Sequence, residues 1–137
     1  VTYLLDTNAC IALINGEPAG VRRRLEEILG LGEAVSVSSV VLFELWYGIH
    51  KSARAAANKQ RLERFLSGPI SILSFEDADA QAAGSIRAEL EKVGKPIGAY
   101  DLLIAGQAVR HGCVVVTANN SEFRRVKSLR WEDWSKL

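Results

Sequence analysis

Apolar and polar residues fall in blocks along this chain, and the block lengths separate strands from helices. Val1 to Leu5 is a short apolar run that reads as a strand. Asp6-Thr7-Asn8 interrupts it. A second apolar run from Ala9 to about Asn15 reads as a short helix, which Gly16-Glu17-Pro18 breaks. From Ala19 to Leu29 the apolar positions Val21, Leu25, Ile28 and Leu29 follow helical spacing, and Gly30 and Gly32 end that helix. Val35-Ser36-Val37 reads as a strand, with Ser39 as the cap of a helix running through Phe43, Glu44 and Tyr47 to about His50. A further helix carries Leu62, Phe65 and Leu66 on one face and stops at Gly68-Pro69, before a strand from Ile70 to Leu73. Phe75 to Val93 is the clearest helical segment. Its stripe is Ala78, Ala82, Ile86, Leu90 and Val93, and Gly94 and Pro96 close it. Ala99 to His111 is another helix, ended by Gly112.

Cys113-Val114-Val115-Val116 is a β-branched run with no polar alternation, which is the pattern of a strand buried on both faces of a parallel sheet. A last short strand is expected over Leu129 to Trp131. Strands alternating with helices predict an α/β fold, with a central, mainly parallel sheet flanked by helices on both faces. No linker, repeat or low-complexity stretch divides the chain, so residues 1–137 are expected to form one domain.

Composition narrows the class. At 48% hydrophobic and 24% charged residues the chain has an ordinary globular balance. No apolar run nears the ~20 residues that span a bilayer. The N-terminus has no basic segment followed by a long apolar one, so no signal peptide is read and a cytoplasmic location is expected. Cys10 and Cys113 both lie in apolar runs and read as reduced core thiols. His50 and His111 have no partners at zinc spacing. The net charge of +1 does not announce a nucleic-acid binder, but its distribution is uneven. Basic residues cluster at Arg22–Arg24, between Lys51 and Arg64, and at Arg124, Arg125, Lys127 and Arg130, and such clusters serve either as solvated helix faces or as phosphate contacts.

The acids change the picture most. Asp6 directly follows the first strand and Thr117 directly follows the late buried one. In a parallel α/β sheet both strand ends open on the rim where ligands bind. Glu44 stands inside VVLFELWYG and Asp101 inside IGAYDLLIAGQAV. Each has a plain structural explanation alone: Asp6 as a helix cap, Asp101 as an acid favoured near a helix N-terminus, Glu44 as the exposed position of a buried helix. Three carboxylates in apolar contexts point instead to one shared site. Packed together they repel, and an oxygen-only donor set suits Mg²⁺ or Mn²⁺ better than zinc.

Four stretches, YLLDTNACIALI, SSVVLFELWYGIHKS, KPIGAYDLLIAGQAVRHG and VVVTANNSEFRRV, match in order and spacing the PIN-domain ribonucleases, and among them the VapC-type toxins of toxin–antitoxin pairs, which the chain resembles over nearly its whole length. The resemblance implies a metal-dependent endoribonuclease in which Asp6, Glu44 and Asp101 are the catalytic and metal-holding carboxylates. Thr7, Asn8, Ser39 and Thr117 would orient ligands. Many relatives carry a fourth acid where Asn119 stands here; asparagine offers an oxygen but no charge, which leaves one metal or two open. Glu122, nearby, reads as a surface acid in a basic loop. The resemblance further implies hydrolysis to 5′-phosphate and 3′-hydroxyl ends. It also implies a cognate VapB-type antitoxin seated against the segments Val40–Ile49 and Ser52–Leu66, and a homodimer or toxin–antitoxin hetero-oligomer. Trp46, Tyr47 and Tyr100 are candidates to stack RNA bases. Two rival classes stand beside this reading: a catalytically silent PIN-like binding module, and an aspartyl-phosphate phosphatase, for which the second acid of a D-x-D pair is missing at Asn8. No G-x-G-x-x-G follows a strand, which disfavours a dinucleotide binder.

Overall fold

The computed structural model describes residues 1–136; Leu137, the end of the expected domain, lies outside the described residues. Five strands, β1 (Thr2–Leu5), β2 (Ala34–Ser38), β3 (Ser71–Leu73), β4 (Val114–Val116) and β5 (Arg130–Glu132), pair in the order β3-β2-β1-β4-β5. Every pairing is parallel, so the sheet is wholly rather than mainly parallel. Tyr3, Leu4 and Leu5 are buried in succession, as are Val114, Val115 and Val116. Neighbouring residues of a strand point to opposite faces, so both faces of the central strands are covered. The edge strands are three residues each, short enough to offer little template for pairing with another chain.

The helices are α1 (Thr7–Asn15), α2 (Ala19–Gly30), α3 (Ser39–Lys51), α4 (Ala55–Leu66), α5 (Asp77–Lys92), α6 (Ala99–His111) and a single turn α7 (Asn120–Phe123), followed by a 3₁₀ turn at Trp134–Lys136. The last two went unread in the sequence because they are too short to show a period. The last strand lies one residue beyond the expected Leu129–Trp131.

The α5 stripe is a larger correction. Its buried residues are Asp79, Ala83, Ile86 and Leu90, not Ala78 and Ala82, and Val93 is exposed. An acid turns this face inward because it is fully paired. Asp79 Oδ2 accepts from the Glu76 amide at 2.8 Å, and Oδ1 accepts from Arg110 Nε at 2.5 Å. Burial opposes the Asp79 charge. The Arg110 bond, the Glu76 amide and the charges of Arg110 and His111 outweigh it, and the carboxyl is held below the usual carboxylate range.

The topology fixes where ligands can bind. From β1 the chain steps outward through β2 and β3, then returns across β1 to lay down β4 and β5. The connections leaving β1 and β4 therefore diverge, and a crevice opens at the carboxyl ends of these two strands. Leu5 is level with Val37 and with Val116, so the next residues on the three strands, Asp6, Ser38 and Thr117, emerge together at that rim.

Candidate active site

Asp6 is a helix cap and also lines the polar pocket at the rim. Its backbone is extended and its Oδ1 accepts from the Ala9 amide at 2.8 Å, making it the N-cap of α1, which begins at Thr7 rather than Ala9. The same carboxyl is 6% exposed and faces a pocket of about 130 Å³ lined by Asp6, Thr7, Asn8, Glu44, Asp101, Ile104 and Asn119. The Thr117 hydroxyl, itself buried, hydrogen-bonds the Asp6 carboxyl. Burial raises the Asp6 pKa, and the charges of Glu44 and Asp133 add to the rise, against the Thr117 and Ala9 bonds. Asp133, not singled out in the sequence, thus bears on the site from behind.

Glu44 reaches the pocket from α3, half-buried, and Thr7 Oγ1 donates to its Oε1 at 2.9 Å. Thr7 thus holds the Glu44 carboxylate. Asp101 enters from the first turn of α6. Its pKa is pushed up to about 7 by burial first, then by the hydrogen bond and charge of Glu122 and by the charges of Asp6 and Glu44. Asn119 lines the pocket, with its amide donating to Thr117 Oγ1 at 3.0 Å and its Oδ1 accepting from Ser121 Oγ at 3.2 Å.

Two expectations are corrected. Ser39 neither caps α3 nor lines the pocket. Ser38 caps the helix, its Oγ accepting from Val40 at 3.0 Å, while Ser39 Oγ accepts from the Phe75 amide at 3.0 Å. The cap shifted because β2 runs to Ser38, whose extended backbone is the geometry an N-cap needs. Glu122 is half-buried and partnered rather than a free surface acid. It hydrogen-bonds Asp101, and its Oε1 accepts from the Gly98 amide at 3.2 Å just before α6. Those two bonds, led by Asp101, hold the Glu122 carboxyl below its ordinary range. The single turn of α7 swings it inward, and a four-residue helix leaves no periodic trace in a sequence.

The acids ring the pocket rather than close on a point. Among the described residues, no three carboxylate, histidine or cysteine side chains converge tightly enough to form a ready-made ion cage. His50 stacks on Trp46 at 5.9 Å and His111 lies beside Asp79, so neither imidazole lines the pocket. Of the candidate stacking residues, Trp46 is half-buried and Tyr47 lies under the Lys51 ammonium at 4.9 Å. Tyr100 is exposed beside Asp101 and pairs with exposed Phe43 at 5.8 Å. Beyond Glu44 an apolar groove of about 250 Å³ runs between α1, α3 and α4, walled by Ile11, Ile14, Leu45, Ile49 and Leu62. Both cysteines are free and buried, and among the described residues no helix is long and apolar enough to cross a membrane.

Comparison with known proteins agrees with this fold. The PIN domain family matches residues 3–129. The chain is 45% identical over 133 residues to the tRNA(fMet)-specific endonuclease VapC of Shigella flexneri, covering 97% of this chain and 98% of that one. It is 40% identical over 134 residues to ribonuclease VapC2 of Rickettsia felis, covering 98% of each. Among solved structures, VapBC2 from Rickettsia felis bound to a promoter DNA fragment superposes with a TM-score of 0.91 at 37% identity, covering 98% of this chain and 99% of that chain. DNA-bound VapBC from Salmonella typhimurium gives 0.89 at 40% identity, covering 98% of both chains. With the parallel sheet, the switch-point pocket and these relatives in agreement, the chain belongs to the PIN-domain family, within its VapC ribonucleases.

Proposed function

We propose that this chain is the endoribonuclease toxin of a toxin–antitoxin pair, acting in the cytoplasm with Mg²⁺ or Mn²⁺ as cofactor. The observation that carries the reading is the convergence of Asp6, Glu44 and Asp101, from three separate stretches of sequence, on one polar pocket at the β1/β4 switch point. Burial first, and then neighbouring carboxylate charge, raises the pKa values of Asp6 and Asp101. A cation relieves that cost, and an all-oxygen donor set fits a hard divalent ion.

Asp6 and Asp101 would hold the ion, with Glu44 beside them and Asn119 offering a neutral oxygen. When bound, Mg²⁺ or Mn²⁺ acidifies water and offsets charge on a phosphoryl group. Thr7 fixes the Glu44 carboxylate, and Thr117 fixes that of Asp6. Glu122 positions Asp101 and ties it to the start of α6. With no histidine at the pocket, the chain has no pair of imidazoles to activate a ribose 2′-hydroxyl. This supports hydrolysis to 5′-phosphate and 3′-hydroxyl ends, as the family resemblance implies. Unpaired RNA is the better substrate, since its bases can splay from the cut phosphate towards Tyr100.

The test is RNA cleavage with Mg²⁺ or Mn²⁺ by wild type and by the D6N, E44Q and D101N variants. Initiator transfer RNA is the first substrate, because the Shigella flexneri relative is named for it. All three variants are expected to lose cleavage. Full activity of D6N, or activity in excess EDTA, would defeat the reading. The groove beside Glu44 supports an antitoxin whose apolar segment lies along α1, α3 and α4 and brings a basic side chain to the acids. Co-expression with the product of a neighbouring gene is expected to yield a complex with suppressed cleavage; a fully active chain that binds no such product would count against it.

A further inference from the structure

A second groove, of about 710 Å³, is lined from Ser121 onward by the segment whose Asn119 lines the acid pocket. Its walls are the end of α5 with the turn after it, including Val93 and Lys95, and the segment bearing Ser121, Arg124, Arg125 and Lys127. Four of its lining residues are cations and none is a carboxylate. In a chain whose net charge is only +1, that is a local concentration of charge. Among the described residues, none of the four enters an ion pair, whereas Arg24, Arg87 and Arg110 are each taken up by an acid.

The groove is also built. Arg125 Nη1 donates to the Pro96 carbonyl at 2.7 Å, joining its two walls. Arg124 donates to Asn120 Oδ1 at 2.8 Å and lies over the Trp131 ring at 5.5 Å. The chain winds through successive turns from Asn120 to Val126, with Arg124 bonded back to Asn120, Arg125 to Glu122 and Val126 to Phe123. This one segment delivers Asn119 to the acid pocket, Glu122 to Asp101, and Ser121, Arg124 and Arg125 to the groove.

We infer that this groove binds the phosphate backbone of the RNA on one side of the cleaved bond. The inference rests on the ribonuclease reading and adds the contact it lacks. A pocket lined by Asp6, Glu44 and Asp101, with Glu122 beside Asp101, repels a polyanion, and a divalent ion offsets only part of that charge. Cations that line the groove draw the strand in without entering the chemistry. The guanidinium of Arg124 is held by its contacts, and Lys95 and Lys127 act as mobile point charges.

The experiment measures binding of a labelled single-stranded RNA in EDTA, across a salt series, and cleavage of the same RNA with Mg²⁺. The K95Q/R124Q/K127Q variant spares Arg125, which bridges the walls; a control, R23Q/K59Q/R87Q, removes the same charge from elsewhere. The groove variant is expected to bind about tenfold more weakly, with a salt dependence flatter by about 2 in log–log slope, raised KM and nearly unchanged kcat. Equal affinity and slope in groove variant and wild type would overturn the inference, as would equal losses in the control. Cleavage by wild type together with either of those results sinks the groove alone. Groove-dependent binding without any cleavage sinks the nuclease reading and leaves the groove standing.

Discussion

Two helical glycines should respond to alanine with opposite signs. Gly106 lies where α6 crosses α5, and a Cβ built there would meet Ala83 N at 2.6 Å and its Cα and Cβ at 2.7 Å each. Ordinary contact begins near 3.4 Å, so the helices must part by roughly 0.7 Å or more. The obstructing atoms are backbone and a methyl group, which cannot swing aside. Overpacking of this kind costs about 1–3 kcal/mol, with up to about 1 kcal/mol returned by the better helix propensity of alanine. Gly106→Ala is therefore expected to destabilise by about 1–2 kcal/mol and lower Tm by roughly 3–8 °C. Gly84, on α5, has no neighbouring atom within 4 Å of where a Cβ would stand, and Gly84→Ala is expected to stabilise by about 0.5–1 kcal/mol. Because α6 carries Asp101, Gly106→Ala should also lower kcat more than the melting curve explains, while Gly84→Ala leaves kcat unchanged. Thermal and urea unfolding with an RNA cleavage assay read both effects. A Gly106→Ala protein as stable as wild type would refute the helix packing described above.

Further predictions concern single contacts. Ser38→Ala removes the cap of α3 and should cost about 1 kcal/mol in urea unfolding. Ser39→Ala frees the Phe75 amide and should cost a similar amount, with cleavage intact at saturating RNA; loss of kcat would restore Ser39 to the site. Asp79 has a folded pKa below its unfolded one, so its contribution is fully present above the unfolded value near 3.8 and is lost as pH falls through the lower folded value. Asp79→Asn should therefore be less stable than wild type at neutral pH, and the gap should close in acid. A gap that stays constant down to the acid transition would contradict this. Glu122→Gln keeps an acceptor for the Gly98 amide but removes the charge beside Asp101. In metal-free protein the Asp101 carboxyl should then titrate below its value of about 7, followed by carbon NMR.

Elements with a strong apolar period were legible in the sequence. β1 and β4 were found because a strand buried on both faces has no polar alternation, and α6 was read at its observed Ala99–His111 bounds because Gly112 ends it in a left-handed turn. The α5 face was misread because a period counts Asp79 as polar and turns it outward. Its pairing with Arg110, 31 residues away, is invisible until the helices meet. Gln107 is similar: it lies fully buried on α6, where its Nε2 donates to the Leu73 and Ser74 carbonyls and ties the helix to the loop after β3.

Apolar periodicity, which is local, carried the fold class, and Asp6, Glu44 and Asp101 stood out as acids among apolar neighbours; the family and the interest of Asn119 came from the resemblance of four stretches. Only the tertiary structure decided what those acids touch. It made Asp6 a cap as well as a pocket-lining acid, gave Thr7 to Glu44 and Thr117 to Asp6, turned Ser39 away towards Phe75, and set Glu122 beside Asp101. The physical reason is distance along the chain. A hydrogen bond or charge interaction acts over a few ångströms in space, and no pattern of neighbouring residues records which distant side chain the fold will bring within reach.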